Sequence, residues 1–260
     1  MRRRLDAELV RRGLAPSRAR ATELIRGGHV LVGGGPATAP ARQVGPQESL
    51  RVLAPPPAFV SRGGEKLAAA FDRFALDPTG VRALDAGAST GGFTDCLLQR
   101  GATEVVAVDV GRGQLAWKLR HDPRVRVLEG TNARALTPVA IGGAVELAVA
   151  DLAFISLRTV APALTRCTTA DARLVLLVKP QFEAGRSAVG KGGVVRDPLV
   201  RGAALVDVVD GLAAHGIYVF DAMCSPLAGP SGNVEYMVVA DKHSDPVPSA
   251  RLRALASDGV

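Results

Sequence analysis

Cysteine is scarce in this 260-residue chain: Cys96, Cys167 and Cys224 stand apart, with no C-x-x-C spacing among them. Scattered thiols exclude a disulfide framework and a thiolate zinc site, and they make a reducing cytoplasm the expected compartment. Long apolar runs are missing as well. Stretches such as 145–150 and 174–178 fall far short of the roughly 20 residues that a membrane-spanning helix needs. The opening Arg2-Arg3-Arg4 is followed by Asp6, Glu8, Arg11 and Arg12 rather than by an apolar segment, so no export signal is expected. Lysine is absent from the first 60 residues, and no internal repeat is visible. His29, His121 and His215 have no partner at ligand or triad spacing, which points away from a metal centre and from a histidine-activated nucleophile.

Apolar residues make up 47% of the chain, enough for a sizeable core, and the length fits one large α/β domain with a small one beside it. The net charge of +7 is unevenly spread: residues 1–60 hold ten arginines against Asp6, Glu8, Glu23 and Glu48, leaving +1 for the rest. Clustered guanidinium groups are the footprint of phosphate binding, because each contact releases condensed counterions. A solvated helix surface carries such charges too, so charge alone leaves both readings open.

Leu5, Leu9 and Val10 fall at helical spacing until Gly13. Ser17 is placed to cap a second helix whose Ala21, Leu24 and Ile25 form an apolar face. Residues 28–35 read as strand and turn, and 49–53 as a returning strand. The pattern Arg4-Leu5-Asp6, Leu9, Gly13, Ser17-Arg18, Ile25, Gly28, Val30 and Val32 resembles the S4 RNA-binding domain. Paired helices in that family present basic side chains to structured RNA. The resemblance therefore implies Arg3, Arg4, Arg11, Arg18 and Arg20 as RNA contacts, with Leu5, Leu9 and Ile25 in the core.

Pro55-Pro56-Pro57 stiffens the chain and extends neither neighbour. The expected division is an S4-like domain over 1–54, a linker over 55–60, a catalytic domain over 61–245 and a tail over 246–260. In the catalytic part, strand-like runs near 81–85, 104–109, 124–128, 145–151 and 172–178 alternate with helix-like ones, predicting a doubly wound α/β sheet. The final runs, 217–223 and 234–240, are joined only by a turn over 225–232, which predicts a hairpin. A parallel sheet closed by an antiparallel hairpin is typical of the Rossmann-like class I methyltransferase fold that uses S-adenosylmethionine.

Between the first of these strands and the next helix stands Asp85-Ala-Gly87-Ala-Ser89-Thr-Gly91-Gly92, and Asp109 ends the following strand. Glycine allows tight backbone approach to a ligand, and an acid at the second strand's end suits ribose hydroxyls. The motif is not G-x-G-x-x-G. A carboxylate at the turn attracts a sulfonium and an ammonium but repels a pyrophosphate, so S-adenosylmethionine fits better than a dinucleotide. On this motif alone, a nucleotide-binding oxidoreductase and a merely structural turn stay open.

Ligands of open α/β sheets lie beyond the carboxyl ends of the strands. Asp151 and Lys179 end apolar strands, Lys66 lies in the helix-like segment ahead of the sheet, and Glu235 is expected in the last hairpin strand. Together they resemble the Lys-Asp-Lys-Glu tetrad of ribose 2′-O-methyltransferases of the RrmJ/FtsJ class. A ribose hydroxyl is a poor nucleophile. A lysine with a lowered pKa can take its proton or stabilise the alkoxide, and the resemblance casts Lys179 in that role, with Lys66 tuning it and Asp151 and Glu235 orienting the ammonium groups. Asp151-Leu-Ala-Phe154 lacks the prolines of an amine-gripping motif, and no cysteine has the setting of a carbon-5 methyltransferase nucleophile.

These segments, with Ser61-Arg-Gly-Gly-Glu-Lys66, Asp109-Val-Gly-Arg-Gly-Gln-Leu115, Thr131-Asn132, Lys179-Pro-Gln-Phe182 and Gly229-Pro-Ser-Gly-Asn-Val-Glu235, closely resemble the TlyA family along nearly the whole chain. The resemblance implies methylation of cytidine 2′-oxygens in ribosomal RNA, on the 30S subunit's 16S RNA, the 50S subunit's 23S RNA or both. It also implies a link to capreomycin susceptibility and an old haemolysin label. By the same resemblance Asp85, Gly87, Ser89, Gly91, Phe93 and Thr94 belong to the cofactor site, Asp109 to its ribose, Asn132 to its adenine side, and Asp151 to both cofactor and tetrad. No membrane, metal or obligate protein partner is expected. The linker departs from the family at Pro57-Ala-Phe59-Val60, where an arginine and a tryptophan are usual. The glycine-rich loop 185–193 reads as a lid or as a plain surface loop. A binding-only protein is the alternative to the enzyme, and a membrane-active haemolysin a weaker one.

Overall fold

In the computed structural model, which describes residues 2–53, 57–185, 188–190 and 192–258, internal contacts divide the chain into Met1–Ala58 and Phe59–Val260. The first unit opens with β1 (Arg3–Arg4), α1 (Leu5–Arg11) and α2 (Arg18–Arg26). Ser17 caps α2, its hydroxyl accepting from the Arg20 amide, as the spacing predicts. Strands β2 (Val30–Val32), β3 (Gly35–Pro36), β4 (Gln43–Val44) and β5 (Leu50–Val52) follow. β1 pairs with β4, and β2 lies between β3 and β5, all antiparallel. Helices of seven and nine residues are too short to persist alone. Their stability comes from the core that Leu5, Leu9, Ala21, Leu24, Ile25, Val30 and Val44 build beneath them.

Ala54, Pro55 and Pro56 lie outside the described residues, so of the proline connector only Pro57 is described. Phe59 and Val60, expected in the linker, belong to the second unit. The Val60 amide donates to Asp95 Oδ2 (2.8 Å), and Phe59 lies so close to Gly64 that no Cβ fits there.

The second unit runs α3 (Arg62–Phe74), β6 (Arg82–Ala86), α4 (Gly92–Gln99), β7 (Glu104–Asp109), α5 (Trp117–Arg120), β8 (Val125–Glu129), a 3-10 turn (Ala133–Ala135), α6 (Pro138–Ile141) and β9 (Val145–Ala150). It continues with α7 (Leu157–Cys167), β10 (Thr168–Val178), α8 (Pro180–Glu183), α9 (Pro198–Ala213), β11 (Tyr218–Cys224), β12 (Tyr236–Asp241) and α10 (Ser249–Asp258). The strands order as β11-β12-β10-β9-β6-β7-β8. β8, β7, β6, β9 and β10 are parallel, while β12 runs antiparallel to both β10 and β11. This is the doubly wound methyltransferase sheet with its terminal hairpin.

Both faces of the sheet are covered, which is why the central stretches of its strands read as mainly apolar runs. Alternation sends Leu84, Val106, Ala148 and Leu174 into one core with α7 and α9, and Ala83, Val105, Leu147 and Val175 into the other with α3 and α4. Two features depart from the expectation. The stretch read as a tail carries α10, whose Leu252 and Ala256 are buried in the first of these cores against α9. Glu235 stands one residue before β12, its carbonyl accepting from the Ser225 amide (2.8 Å).

Candidate active site

β6, β7, β9 and β10 all end on one edge of the sheet, and the strand order reverses at β6, between β7 and β9. A crevice opens at such a reversal. The chain leaves β6 through Gly87, with φ 91°, Ser89, with φ 48°, and Gly91, with φ 96°. The Gly87 and Ala88 amides both donate to the Val108 carbonyl (2.8 and 3.0 Å), stitching the turn to β7. A Cβ on Gly87 would run into the Asp151 carbonyl, and one on Gly91 into Leu115 and Leu119. The left-handed backbone and this close approach together require glycine at both positions.

Asp109, at the end of β7, accepts from the Ser89 amide through Oδ2 and from the Gly111 amide through Oδ1, each at 2.7 Å. It lines a pocket with Ala88, Ser89, Gly111, Gln114, Leu115 and Glu129. The Ser89 hydroxyl donates to Gln114 Oε1 (3.2 Å), and the Gly113 amide to Glu129 Oε1 (2.9 Å). Asn132 is exposed beyond β8 and caps the 3-10 turn by accepting from the Arg134 amide (3.1 Å).

Asp85, Phe93 and Thr94 sit beneath the turn rather than on it. The Phe93 ring is buried in the core, and the Thr94 hydroxyl donates to Asp85 Oδ2 (2.6 Å). Asp85 Oδ1 is buried without a hydrogen-bond partner among the described residues. Burial pushes the Asp85 carboxyl up to about 7, against the pull of the Thr94 bond and with a further push from Asp151. What Phe93 and Thr94 offer a ligand is the backbone of the first turn of α4, where N–H groups lack helical partners.

The four tetrad residues form two ion pairs. Lys66, on α3, pairs with Glu235, their side chains 8% and 1% exposed. Lys179, at the end of β10, pairs with Asp151, at the end of β9. Register brings the pairs together: Val178 pairs with Tyr236, so Lys179 and Glu235 are the next residues outward in the same ladder. Asp151 is tied to β6 by its amide, which donates to the Ala86 carbonyl (3.1 Å). Glu235 Oε1 has no hydrogen-bond partner among the described residues. Gly229 leaves it room, since a Cβ there would lie 2.5 Å away.

Four residues around the tetrad, Glu183, Phe154, Phe182 and Asn233, have no role assigned to them from sequence. Glu183 is buried in α8 and accepts from the Ser156 hydroxyl (2.5 Å) and the Leu157 amide (2.9 Å), clamping the loop after Asp151 to the segment after Lys179. Burial raises its carboxyl above the usual range. Phe154, 91% exposed and held at φ 64°, lies beside Phe182 with ring centroids 5.2 Å apart, and Lys179 Nζ is 6.0 Å from the Phe182 ring. Asn233 joins the glycine-rich loop to the approach to Glu235, accepting from the Val195 amide (3.0 Å) and donating to the Gly193 carbonyl (2.8 Å). Arg186, Ser187 and Lys191 of that loop, read as a lid in sequence, lie outside the described residues.

On the S4-like unit, Arg3 is exposed. Arg4 and Arg18 pair with Asp6, Arg11 with Glu8 and Arg20 with Glu23. These residues and the tetrad belong to separate units.

The site's chemistry suits S-adenosylmethionine. Asp109 keeps acceptor capacity for ribose hydroxyls after taking its two amides. The orphaned Asp85 oxygen is a buried acceptor that a cationic ligand above it would stabilise. The carboxylates of Asp85, Asp109 and Glu129 would repel a phosphate.

Family models for the S4 domain and for FtsJ-like methyltransferase match residues 3–50 and 59–242. The 16S/23S rRNA (cytidine-2′-O)-methyltransferase TlyA of Mycobacterium tuberculosis is 55% identical over 260 residues, covering 100% of this chain and 94% of that one. Hemolysin A of Brachyspira hyodysenteriae is 38% identical over 235 residues, 90% of this chain and 98% of that one. A solved Streptococcus thermophilus structure, itself named as a hemolysin, superposes with a TM-score of 0.80 at 35% identity, covering 99% and 95% of the two chains. The chain therefore belongs to the TlyA family and is an S-adenosylmethionine-dependent methyltransferase, with an S4 domain ahead of an FtsJ-like catalytic domain.

Proposed function

We propose that this protein methylates the ribose 2′-hydroxyl of cytidine in ribosomal RNA, in the 30S subunit, the 50S subunit or both. The observation that carries the reading is the pair of ion pairs at the strand ends, Lys66–Glu235 and Lys179–Asp151, beyond a glycine turn suited to the methyl donor. A scaffold gains little from buried ion pairs, whose desolvation offsets their attraction. A hydroxyl that must lose a proton gains a great deal. The name of the 55% identical relative supports the cytidine and the ribosomal RNA.

S-adenosylmethionine, when bound, supplies an electrophilic methyl group on a sulfonium. Gly87, Ser89 and Gly91 would hold it through their backbone, Asp109 would take its ribose, and Asn132 would serve its adenine. Lys179 Nζ, once it has released a proton to solvent, takes the 2′-hydroxyl proton as the oxygen becomes nucleophilic, and Asp151 holds the resulting ammonium in place. Lys66 adds a second positive group that favours the developing alkoxide, with Glu235 fixing it and keeping the site from excess positive charge. The unpartnered Glu235 Oε1 offers an acceptor to a ribose hydroxyl. The exposed Phe154 and its neighbour Phe182 offer a face on which an unstacked base can lie.

Among the described residues no helix is long and apolar enough to cross a membrane. Incubation with S-adenosylmethionine and separated, unmodified 30S and 50S subunits, followed by mass spectrometry of the RNA nucleosides, tests the reading. The expected product is 2′-O-methylcytidine. A base-methylated product, or none from either subunit with cofactor bound, would overturn it.

A further inference from the structure

Asp6 lies against two of the arginines expected to meet RNA, Arg4 and Arg18, where a negative charge is out of place on electrostatic grounds alone. Its side chain is 4% exposed, whereas the guanidinium groups it holds are open to solvent, with Arg4 47% and Arg18 61% exposed. Arg4 grips it as a fork, Nε on Oδ1 (3.1 Å) and Nη2 on Oδ2 (2.9 Å). Arg18 Nη2 donates to the same Oδ2 (3.0 Å), and the Ala7 amide fixes Oδ1 (2.8 Å). One carboxylate thus joins β1, α1 and α2 and sets two arginines side by side.

A guanidinium carries five N–H donors. Arg4 spends two on Asp6 and Arg18 one, so each keeps donors for a phosphate. Arg12 differs: it donates to Glu8 and to the Glu48, Gly45 and Pro46 carbonyls, and serves the fold. Glu8 also holds Arg11, but among the described residues only Asp6 presents two substantially exposed arginines on one oxygen. Freezing two long side chains before binding removes an ordering cost that RNA binding otherwise carries.

We infer that Asp6 is a positioning residue for RNA recognition, its buried carboxylate pre-arranging Arg4 and Arg18 as a paired phosphate clamp. This rests on the RNA-binding reading of the first unit. Asp6→Asn removes a negative charge from an RNA-binding surface, which by charge alone tightens binding, yet here it weakens it.

The experiment measures binding of full-length protein to purified 16S and 23S ribosomal RNA and to unmodified subunits, for wild type, Asp6→Asn, Arg4→Gln/Arg18→Gln and the triple variant. The expected result is about tenfold weaker binding for Asp6→Asn and no further loss when it is added to the arginine double variant. In turnover, the KM for subunits rises while kcat at saturation stays within about twofold. Unchanged or tighter binding by Asp6→Asn overturns the inference. So does an equal loss with and without the two arginines, which would mark Asp6 as a support of the fold. Wild-type protein that binds no ribosomal RNA would instead refute the RNA reading on which it stands.

Discussion

Lys66 and Glu235 are held in the protein's interior, their side chains 8% and 1% exposed. Removing one partner strands a buried charge, so Lys66→Met is expected to destabilise the fold by about 3–5 kcal/mol. The double variant Lys66→Met/Glu235→Leu should recover most of that loss while staying inactive, which thermal denaturation and a methyl-transfer assay check together. Asp85 carries the pH dependence. Its carboxyl, pushed up to about 7 by burial, costs nothing while protonated in both folded and unfolded chains. The cost grows as pH rises from the ordinary value near 3.8 and levels off above about 7, reaching on the order of 4 kcal/mol. Asp85→Asn should therefore gain on wild type in thermal stability between pH 4 and pH 8. Affinity for S-adenosylmethionine, measured calorimetrically, should strengthen through pH 7 in wild type and stay flat in the variant. Legibility at this scale follows chemistry. Asp151 and Lys179 stood out because polar residues ending apolar strands have no packing reason to be there. Glu183 did not stand out, since its role exists only once α7 and α8 are brought against each other.

Elements were legible wherever one physical period dominated. Strands β6, β7 and β9, covered on both faces, are apolar at most positions, with their charged residues near the strand ends, and Ser17 announced α2 by its capping oxygen. β10 begins at Thr168, ahead of the expected start at 172, because Asp171 and Arg173 interrupt its apolar pattern at the exposed end. α10 was read as a tail because Leu252 and Ala256 are too few to show a helical face until α9 supplies the other half of the contact. The glycine turn makes an element-scale prediction. Gly87→Ala forces a Cβ against the Asp151 carbonyl at φ 91°, and should cost about 1–3 kcal/mol and weaken cofactor binding at least about tenfold. A variant with normal stability and affinity, by denaturation and calorimetry, would show that the turn tolerates a side chain.

Across the whole molecule, charge separates the two tasks. The first 60 residues carry +6 of the +7 net charge, so binding to ribosomal RNA should fall steeply with salt, by about 10²-fold or more between 50 and 200 mM if five arginines contact phosphate. Affinity for S-adenosylmethionine should change by less than about twofold over the same range, and filter binding beside calorimetry compares the two. The +6 was legible from composition. Which arginines are free for RNA was not, since that depends on where Asp6 and Glu8 fall in the fold. The most direct test of the account is single-turnover methyl transfer from labelled S-adenosylmethionine to unmodified ribosomal subunits by wild type and Lys179→Ala, with cofactor affinity measured on both. Wild type is expected to place label on a cytidine 2′-oxygen, and Lys179→Ala to transfer it at least about 10²-fold more slowly with equal cofactor affinity. Undiminished transfer by Lys179→Ala, or label on a base, would contradict it.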